Sequence, residues 1–302
     1  TFEGMWTFII VDNIKNELII SRDPFGIKPL YYSQTDDDLY FSSEIEPLKY
    51  SHPSANKIDN VTMELFEKHG ILQRGCWTFF ENIKKFPYGH ALKLELPLVS
   101  KVDFKECEPY WDLDSFPSVP NTNYDKSISS LISSNIQKHT RSDVPTGVTL
   151  SGGLDSSIIA IKAKSETKHF FTSSFPDHLE IDETYKAKFM ADSLKSQHHL
   201  AYPTSETLHN DFSRLVRSQE EPFGSLSIYT QFKVFEKISH SNIKVTLDGQ
   251  GADEIFGGYK FIANFFLNSY LKTKPFHFRF INNFIVLREF NGVNSVSVTY
   301  TV

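Results

Sequence analysis

A short apolar strand pattern that runs into a glycine- and serine-rich turn most constrains how this chain can fold. Val148-Thr149-Leu150 predicts a buried strand, and Ser151-Gly152-Gly153-Leu154-Asp155-Ser156-Ser157 follows it directly. Adjacent glycines permit a sharp turn and let phosphate oxygens approach backbone N–H groups closely. We expect a helix to begin at the serines, because their hydroxyls are good helix caps. A strand, a loop and a capped helix in this order predict a phosphate-binding loop.

The side chains of this loop indicate what kind of phosphate site it is. Ser151, Ser156 and Ser157 carry hydroxyls that can donate hydrogen bonds to phosphate oxygens. Asp155 would be repelled by a bare phosphate, so its presence calls for a cation, and Mg²⁺ bridging a carboxylate and phosphate oxygens meets that need. The lysine of the Walker loop is missing here. The loop therefore predicts a nucleotide·Mg²⁺ site that is not of the Walker kind.

A second strand pattern, Val245-Thr246-Leu247, leads into another glycine-rich loop, Asp248-Gly249-Gln250-Gly251-Ala252-Asp253-Glu254. Taken alone, such an acidic loop is more often a solvated or calcium-binding turn, although its spacing does not fit the EF-hand. The two loops together favour a nucleotide site, because loops at the carboxyl ends of parallel strands meet at one sheet edge. Asp253 is then a second candidate metal ligand, and the glycines allow close approach of the nucleotide.

Hydrophobic periodicity divides the chain into two halves. Residues 1 to about 108 carry short β-rich runs separated by turn residues, which predicts an antiparallel sheet layer with a short helix near Glu44–Tyr50. Beyond Tyr124, helix and strand patterns alternate, which predicts a doubly wound, parallel α/β domain. The proline-containing stretch Cys107–Asn123 lies between the halves. Phe276–Val302 has a strand-like pattern that does not fit the alternation.

Composition excludes several classes of partner. The net charge of −6 argues against a broad surface for nucleic acid. No apolar run is long enough to span a membrane. Two isolated cysteines, Cys76 and Cys107, do not form a disulfide framework and suit a reducing compartment. From the predicted nucleotide site and the lack of a signal peptide, we expect a cytoplasmic protein that acts on small molecules.

The motifs resemble those of the glutamine-hydrolysing asparagine synthetase family. The two loops resemble its pyrophosphate loop and its second nucleotide signature, and a third segment resembles the stretch between them. Two earlier segments resemble the later part of its N-terminal glutaminase domain. The matching segments are Arg22–Tyr32, Phe41–Leu48, Leu150–Ser157, Glu220–Tyr229 and Asp248–Tyr259. The resemblance implies an incomplete, Ntn-hydrolase-like glutamine amidotransferase domain over residues 1–110. It also implies a truncated ATP-pyrophosphatase domain over 120–302.

The resemblance also implies a reaction and roles for individual residues. Aspartate attacks the α-phosphate of ATP to give an acyl-adenylate, and ammonia from glutamine displaces AMP, so that asparagine, glutamate, AMP and pyrophosphate are formed. Gln250 is a catalytic candidate at a position where many members carry Glu, although a neutral amide cannot be a general base. The other implied roles are backbone contacts to adenosine from Leu150 and Ser173, positions beside the nucleotide for Asp248 and Gly249, and Mg²⁺ ligation by the catalytic candidates Asp155 and Asp253. A homodimer is a family expectation.

Two alternatives remain open at this point. The acceptor of the same reaction type can be another carboxylate, such as a sugar acid or a peptide, or the chain can be a non-catalytic nucleotide-binding remnant. The family's nucleophilic Cys precedes the point where this sequence starts, and residues 266–302 do not resemble the family's lysine-bearing region. We therefore expect no glutaminase activity from the chain itself, with Thr1 not acting as a nucleophile. We expect structural roles for Arg22 and Lys28.

Overall fold

The computed structural model describes residues 2–98, 101–104, 107–116 and 123–259. These residues fall into two compact units. One contains the described residues up to Leu131 together with 202–236, and the other contains 132–201 together with the described residues from Lys237 onward. The domain limits 1–110 and 120–302 stay a prediction, because compact units need not coincide with family domains. The pattern at Phe276–Val302 lies outside the described residues.

Two antiparallel sheets form the N-terminal part of the first unit. Their strands are β1 (Thr7–Asp12), β2 (Glu17–Arg22), β3 (Tyr31–Gln34), β4 (Leu39–Ser42), β5 (Ile83–Lys85), β6 (His90–Glu95) and β7 (Glu108–Pro109). The strand orders are β1-β2-β6-β7 and β4-β3-β5. Alternation along β2 buries Leu18 and Ile20, which join Phe86 and Leu92 in the core. The predicted antiparallel, β-rich N-terminal part is confirmed.

The loop after β2 is held by two charged side chains. The carboxylate of Asp23 is buried and accepts hydrogen bonds from the N–H groups of Phe25, Ile27 and Lys28 at 2.9–3.1 Å. The guanidinium of Arg22 donates to three backbone carbonyls, those of Gly26, Lys28 and Phe86. These hydrogen bonds fix the path of the loop, in agreement with the structural role expected for Arg22.

Four helices complete the described part of this unit, and a fifth leads into the second. The four are α1 (Ile45–Leu48), α2 (Asn60–His69), α6 (Ser205–Gln219) and α7 (Ser227–Ser239), and the fifth is α3 (Tyr124–His139). The limits between the units fall inside two of these helices, at Leu131 in α3 and at Glu236 in α7. Helix α2 was not predicted from its hydrophobic pattern. Its ends are well defined, because the Asp59 carboxylate accepts from the Thr62 N–H at 2.8 Å and Gly70 closes it in the left-handed conformation.

A parallel sheet forms the centre of the second unit. Its strands are β8 (Thr146–Thr149), β9 (His169–Ser173), β10 (Gln197–Ala201) and β11 (Val245–Leu247), and its helices include α4 (Leu154–Ala163), α5 (Thr184–Ser193) and the short α8 (Ala252–Phe256). The strand order is β10-β9-β8-β11, with all three pairs parallel. Alanines at fully buried positions of α4 and α5 let the helices approach the apolar core around Val148 and Phe170. The predicted parallel α/β part is confirmed.

The strand order places the two glycine-rich loops at one edge of the sheet. Among the four strands of this sheet, β8 comes first in sequence, and its neighbours are β9 on one side and β11 on the other. The chain therefore leaves β8 and β11 at a topological switch point, which is where ligands bind in open α/β sheets. Within the residues given above, no helix combines the length and the apolar character needed to cross a membrane.

Candidate nucleotide site

The first loop is tied together by two serine hydroxyls. The Ser156 Oγ lies 3.0 Å from the Ser151 Oγ and accepts a hydrogen bond from the Ser151 N–H at 3.3 Å. The Gly153 N–H in turn donates to the Ser151 Oγ at 3.2 Å. Ser156 is buried and Ser151 is exposed. Ser156 therefore shapes the loop, and Ser151 carries the more exposed of these two hydroxyls. The phosphate contacts of Ser151, Ser156 and Ser157 stay predictions.

Helix α4 begins at Leu154, two residues before the predicted start at Ser156. Gly153 is the N-cap, with φ −69° and ψ 172°, and no side chain caps the helix. The prediction that the serines cap this helix was wrong, because Ser156 and Ser157 lie buried within its first turn. The first N–H groups of an α-helix have no intrahelical acceptor, and the helix dipole adds positive potential there. An uncapped N-terminus of a ten-residue helix suits an anion.

Gly152 brings this loop against helix α5. Its φ is +78°, in the left-handed region that favours glycine. A Cβ built on Gly152 would lie 2.5 Å from the Cβ of Lys186 and 2.7 Å from the backbone nitrogen of Ala187. The first turn of α5 therefore braces the phosphate loop. The sequence pattern gave no signal of this contact, because it joins segments that are more than 30 positions apart.

The second loop follows β11 and is held by hydrogen bonds between its own residues. The Asp248 Oδ1 accepts from the Gln250 N–H at 3.1 Å, so this carboxylate fixes the turn. The Ala252 N–H donates to the Gly249 carbonyl at 3.2 Å. Gln250 is exposed, whereas Asp248 is half-buried. The backbone of Gln250 thus serves the turn, while its side-chain amide remains at the surface.

Asp253 lies at the far end of the second loop. It is in the first turn of α8, and its carbonyl accepts from the Gly258 N–H at 2.9 Å. A Cβ built on Gly258 would lie 1.8 Å from the Asp253 Oδ1, so the carboxylate fits only because position 258 is glycine. Asp253 is half-buried, and its side chain packs against this backbone.

The two loops meet at Gly249. A Cβ built there would lie 3.2 Å from the Cβ of Asp155 and 3.5 Å from the Ser156 backbone nitrogen. Gly249 therefore allows the second loop to pass directly over the start of α4. The structure thus brings together the parts of the two motifs that sequence reasoning placed beside one nucleotide.

The donor chemistry of these loops fits Mg²⁺. Within residues 2–259, apart from the short gaps, no cluster of three or more His, Cys, Asp or Glu side chains could hold a metal by itself. Mg²⁺ is commonly bound by one or two carboxylates, with phosphate oxygens and water completing its octahedron. Asp155 and Asp253 carry carboxylate oxygens, the type of atom that Mg²⁺ prefers. Their joint ligation of one ion stays a prediction.

Hydrogen bonds at the carboxyl ends of β8 and β9 limit which backbone groups remain for the predicted contacts to adenosine. The Leu150 N–H donates to the Phe171 carbonyl at 2.8 Å, and the Leu150 carbonyl accepts from the Thr172 hydroxyl. A carbonyl has two lone pairs, so the second lone pair of Leu150 is what remains for a ligand. Ser173 is half-buried at the end of β9. The predicted backbone contacts of Leu150 and Ser173 to adenosine stay predictions.

The fold defines a class of protein. A parallel α/β sheet with two glycine-rich loops at its switch point, preceded by antiparallel β-sheets, is the predicted combination of an Ntn-hydrolase-like part with an ATP-pyrophosphatase part. A family model described as asparagine synthase matches residues 127–291, and one described as a glutamine amidotransferase domain matches residues 1–111. The first match covers more than half of the chain, and the chain belongs to the asparagine synthase family.

Relatives with curated names support this membership. The "Putative asparagine synthetase (glutamine-hydrolyzing) 2" of Methanocaldococcus jannaschii is 29% identical over 97% of this chain and 57% of its own length. Asparagine synthetase (glutamine-hydrolyzing) 1 of Bacillus subtilis is 30% identical over 85% of this chain and 40% of its own length. Amidase chry2 of Gibberella zeae is 27% identical over the same shares, 85% and 40%. The chain spans about half the length of the curated relatives that it matches.

Proposed function

We propose that this chain belongs to an ATP-dependent, amide-forming ligase that makes asparagine from aspartate through an acyl-adenylate. Glutamine is the proposed source of ammonia. Family membership and the names of the relatives support this assignment. The observation that carries it is the meeting of the two loops at Gly249, directly beside Asp155. That contact is what a site needs if one loop binds the pyrophosphate portion of ATP and the other lies beside its α-phosphate.

The chemistry divides into two displacements. A carboxylate oxygen of the substrate attacks the α-phosphorus, and the bond to the β-phosphate oxygen breaks, so that pyrophosphate leaves. Ammonia then attacks the acyl carbon, and AMP leaves with the bond electrons. The N–H groups at the start of α4 and the Ser151 hydroxyl would stabilise charge that grows on the departing pyrophosphate.

The acidic and amide groups of the loops have distinct proposed roles. Asp155 and Asp253 would hold Mg²⁺, which when bound neutralises phosphate charge. Asp248 keeps the second loop in its turn through the Gln250 N–H. The Gln250 amide can orient a substrate by hydrogen bonds but cannot remove a proton. The proton released from ammonia therefore has to leave through another group or through water.

Calorimetric titration with ATP tests the nucleotide site. We expect heat of binding in the presence of Mg²⁺ and weaker binding without it. Asp155→Ala is expected to abolish the dependence on Mg²⁺, because it removes a ligand oxygen. Unchanged affinity of this variant would reject the ligand assignment. Absence of heat with and without Mg²⁺ would leave only the interpretation as a non-catalytic module that retains the fold without the nucleotide site.

The acceptor carboxylate needs a separate measurement. A second candidate is the same reaction type on a sugar acid or a peptide carboxylate. One of the relatives carries a name other than asparagine synthetase, amidase chry2, so the acceptor is tested directly. Pyrophosphate release is measured with ammonia, ATP·Mg²⁺ and each acceptor in turn. Release with aspartate supports asparagine synthesis. Release with another carboxylate, and none with aspartate, supports the second candidate.

The remaining parts of the proposal concern organisation. We propose glutamine amidotransferase and ATP-pyrophosphatase domains over residues 1–110 and 120–302, and a homodimer acting in the cytoplasm. Light scattering after gel filtration measures the oligomeric state. A monomer at micromolar concentration would contradict the dimer without affecting the site.

A further inference from the structure

The cation that a Walker loop carries within its own sequence is missing from the loop at residues 151–157. The loop has an acidic group at Asp155 instead. The structure places another segment directly against it: the Cβ and carbonyl carbon of Lys186 would lie 2.5 and 2.9 Å from a Cβ built on Gly152. Lys186 is therefore the cationic residue whose main chain is packed on the turn of the loop.

Lys186 is the third residue of α5, in the first turn of that helix. The residue is exposed, so its ammonium group is accessible to a ligand. A lysine has a flexible four-carbon stem, and its ammonium binds phosphate as a compact point charge. A phosphate held by the N–H groups at the start of α4 would lie next to the Gly152 turn, and the Lys186 side chain begins against that same turn.

The neighbouring lysines are placed differently. Lys188, two positions further along α5, pairs with Asp192 at 3.2 Å. Lys162 is in the last turn of α4, at the end opposite to the loop. Within the part of the chain that the structure describes, Lys186 forms no ion pair with an acidic side chain. Among these residues, no acidic side chain neutralises the charge of Lys186.

We propose that Lys186 binds the β- and γ-phosphates of the nucleotide and stabilises the pyrophosphate leaving group. This inference rests on the proposed function, since it assumes that the loop binds ATP. The ammonium group offsets negative charge that the triphosphate and Asp155 bring to the loop. As the bond between the α-phosphorus and the bridging oxygen breaks, negative charge grows on pyrophosphate, and Lys186 stabilises it without a proton transfer.

Calorimetric titrations of Mg²⁺·ATP, Mg²⁺·pyrophosphate and AMP into the full chain test this role. Lys186→Met keeps most of the stem and removes the charge. We expect it to weaken ATP and pyrophosphate binding by about ten- to a hundredfold, the range for losing one charge-assisted hydrogen bond, and to leave AMP binding unchanged. Lys186→Arg is expected to retain most of the affinity, because it retains the charge.

Lys188→Met is the matched control on the same helix. It removes a charge of the same sign that is paired with Asp192, and we expect no change in the affinity for any of the three ligands. Circular dichroism establishes that each variant is folded. If Lys186→Met binds ATP and pyrophosphate as tightly as the parent chain, the inference is overturned while the proposed function stands. If the parent chain binds no phosphate ligand, both are overturned.

Discussion

Substituting Gly152 by alanine tests whether the phosphate loop is built against helix α5. Two costs add at this position. An L-residue in the left-handed region costs about 1–2 kcal/mol relative to glycine, and the φ of Gly152 is +78°. The new methyl group would also lie 2.5 Å from the Lys186 Cβ and 2.7 Å from the Ala187 nitrogen, atoms of a helix that cannot rotate away. Overpacking of this kind costs about 1–3 kcal/mol, so we expect a total of about 2–5 kcal/mol.

Two other glycines separate these costs. Gly251 has φ +91°, and a Cβ built there meets no atom within 4 Å, so Gly251→Ala reports backbone strain alone. Gly153 has φ −69°, and its nearest neighbour, the Ser151 Oγ, lies at 3.2 Å. We expect the loss of stability to be largest for Gly152→Ala, intermediate for Gly251→Ala and smallest for Gly153→Ala. The difference between the first two isolates the steric contact with α5.

Urea unfolding followed by far-ultraviolet circular dichroism measures the three differences in free energy of unfolding, and ATP titration measures the effect on the loop. We expect Gly152→Ala to lower both stability and ATP affinity. The reasoning is refuted if Gly152→Ala and Gly153→Ala unfold within about 0.5 kcal/mol of each other, the usual range for a neutral surface change. That result would mean that the loop does not need the close approach to Lys186.

Two further predictions concern β9 and β10, the two strands on one side of β8. Thr172→Val should lower the free energy of unfolding by about 1–3 kcal/mol, measured by urea unfolding, because the Thr172 hydroxyl donates to the Leu150 carbonyl and lies 2.8 Å from the His198 Nε2. Stability should also fall as the pH drops below about 6.5. Burial lowers the pKa of His198 and His199 from their usual value of 6.5, so the unfolded chain takes up protons first. Replacing both histidines by glutamine should flatten the dependence of the urea midpoint on pH between 7.5 and 5.5, and an unchanged slope would contradict this assignment.

The tautomer of the neutral His198 ring follows from the same hydrogen bonds. A threonine hydroxyl has one proton, and Thr172 uses it toward the Leu150 carbonyl. Thr172 must therefore accept from the His198 Nε2–H, which fixes the tautomer of the neutral ring. The charged groups nearest to these rings act with burial: Lys188 and His199 lower the pKa of His198 while Asp192 raises it, and His169 and Lys237 lower that of His199.

The sequence predicted the two loops well because their meeting depends on a general rule. Parallel strands with helical crossovers bring carboxyl ends to one edge, so Asp155 and Gly249 could be placed near each other before any contact was known. The start of α4 could not be placed in the same way. Glycine and serine are both accepted at N-caps, and the structure uses Gly153 while Ser156 bonds within the loop.

Helix α2 had a signal in its local sequence, whereas the contact between Gly152 and Lys186 had none. Helix α2 is bounded by Asp59 and Gly70, a capping residue and a left-handed terminator, and these could have predicted it without a strong apolar stripe. The contact between Gly152 and Lys186 has no counterpart in local sequence, because it depends on how α5 docks. A lysine outside the loop therefore cannot be assigned to the phosphates from the loop pattern alone.

The segment that follows α6 shows why family regions and compact units differ in this chain. Glu220, within the asparagine synthase match, adopts φ 60° and accepts hydrogen bonds from the N–H groups of Ile45 and Glu46 at 2.8 and 2.6 Å. Glu221 accepts from the Phe79 N–H at 2.7 Å and lies 3.6 Å from the Lys85 ammonium. Bonds to a charged acceptor contribute about 1.5–3 kcal/mol each, and a buried donor left without its partner is costly. The glutamine amidotransferase match therefore depends on carboxylates supplied by the other family region, so cutting the chain between the two regions removes part of what stabilises the first.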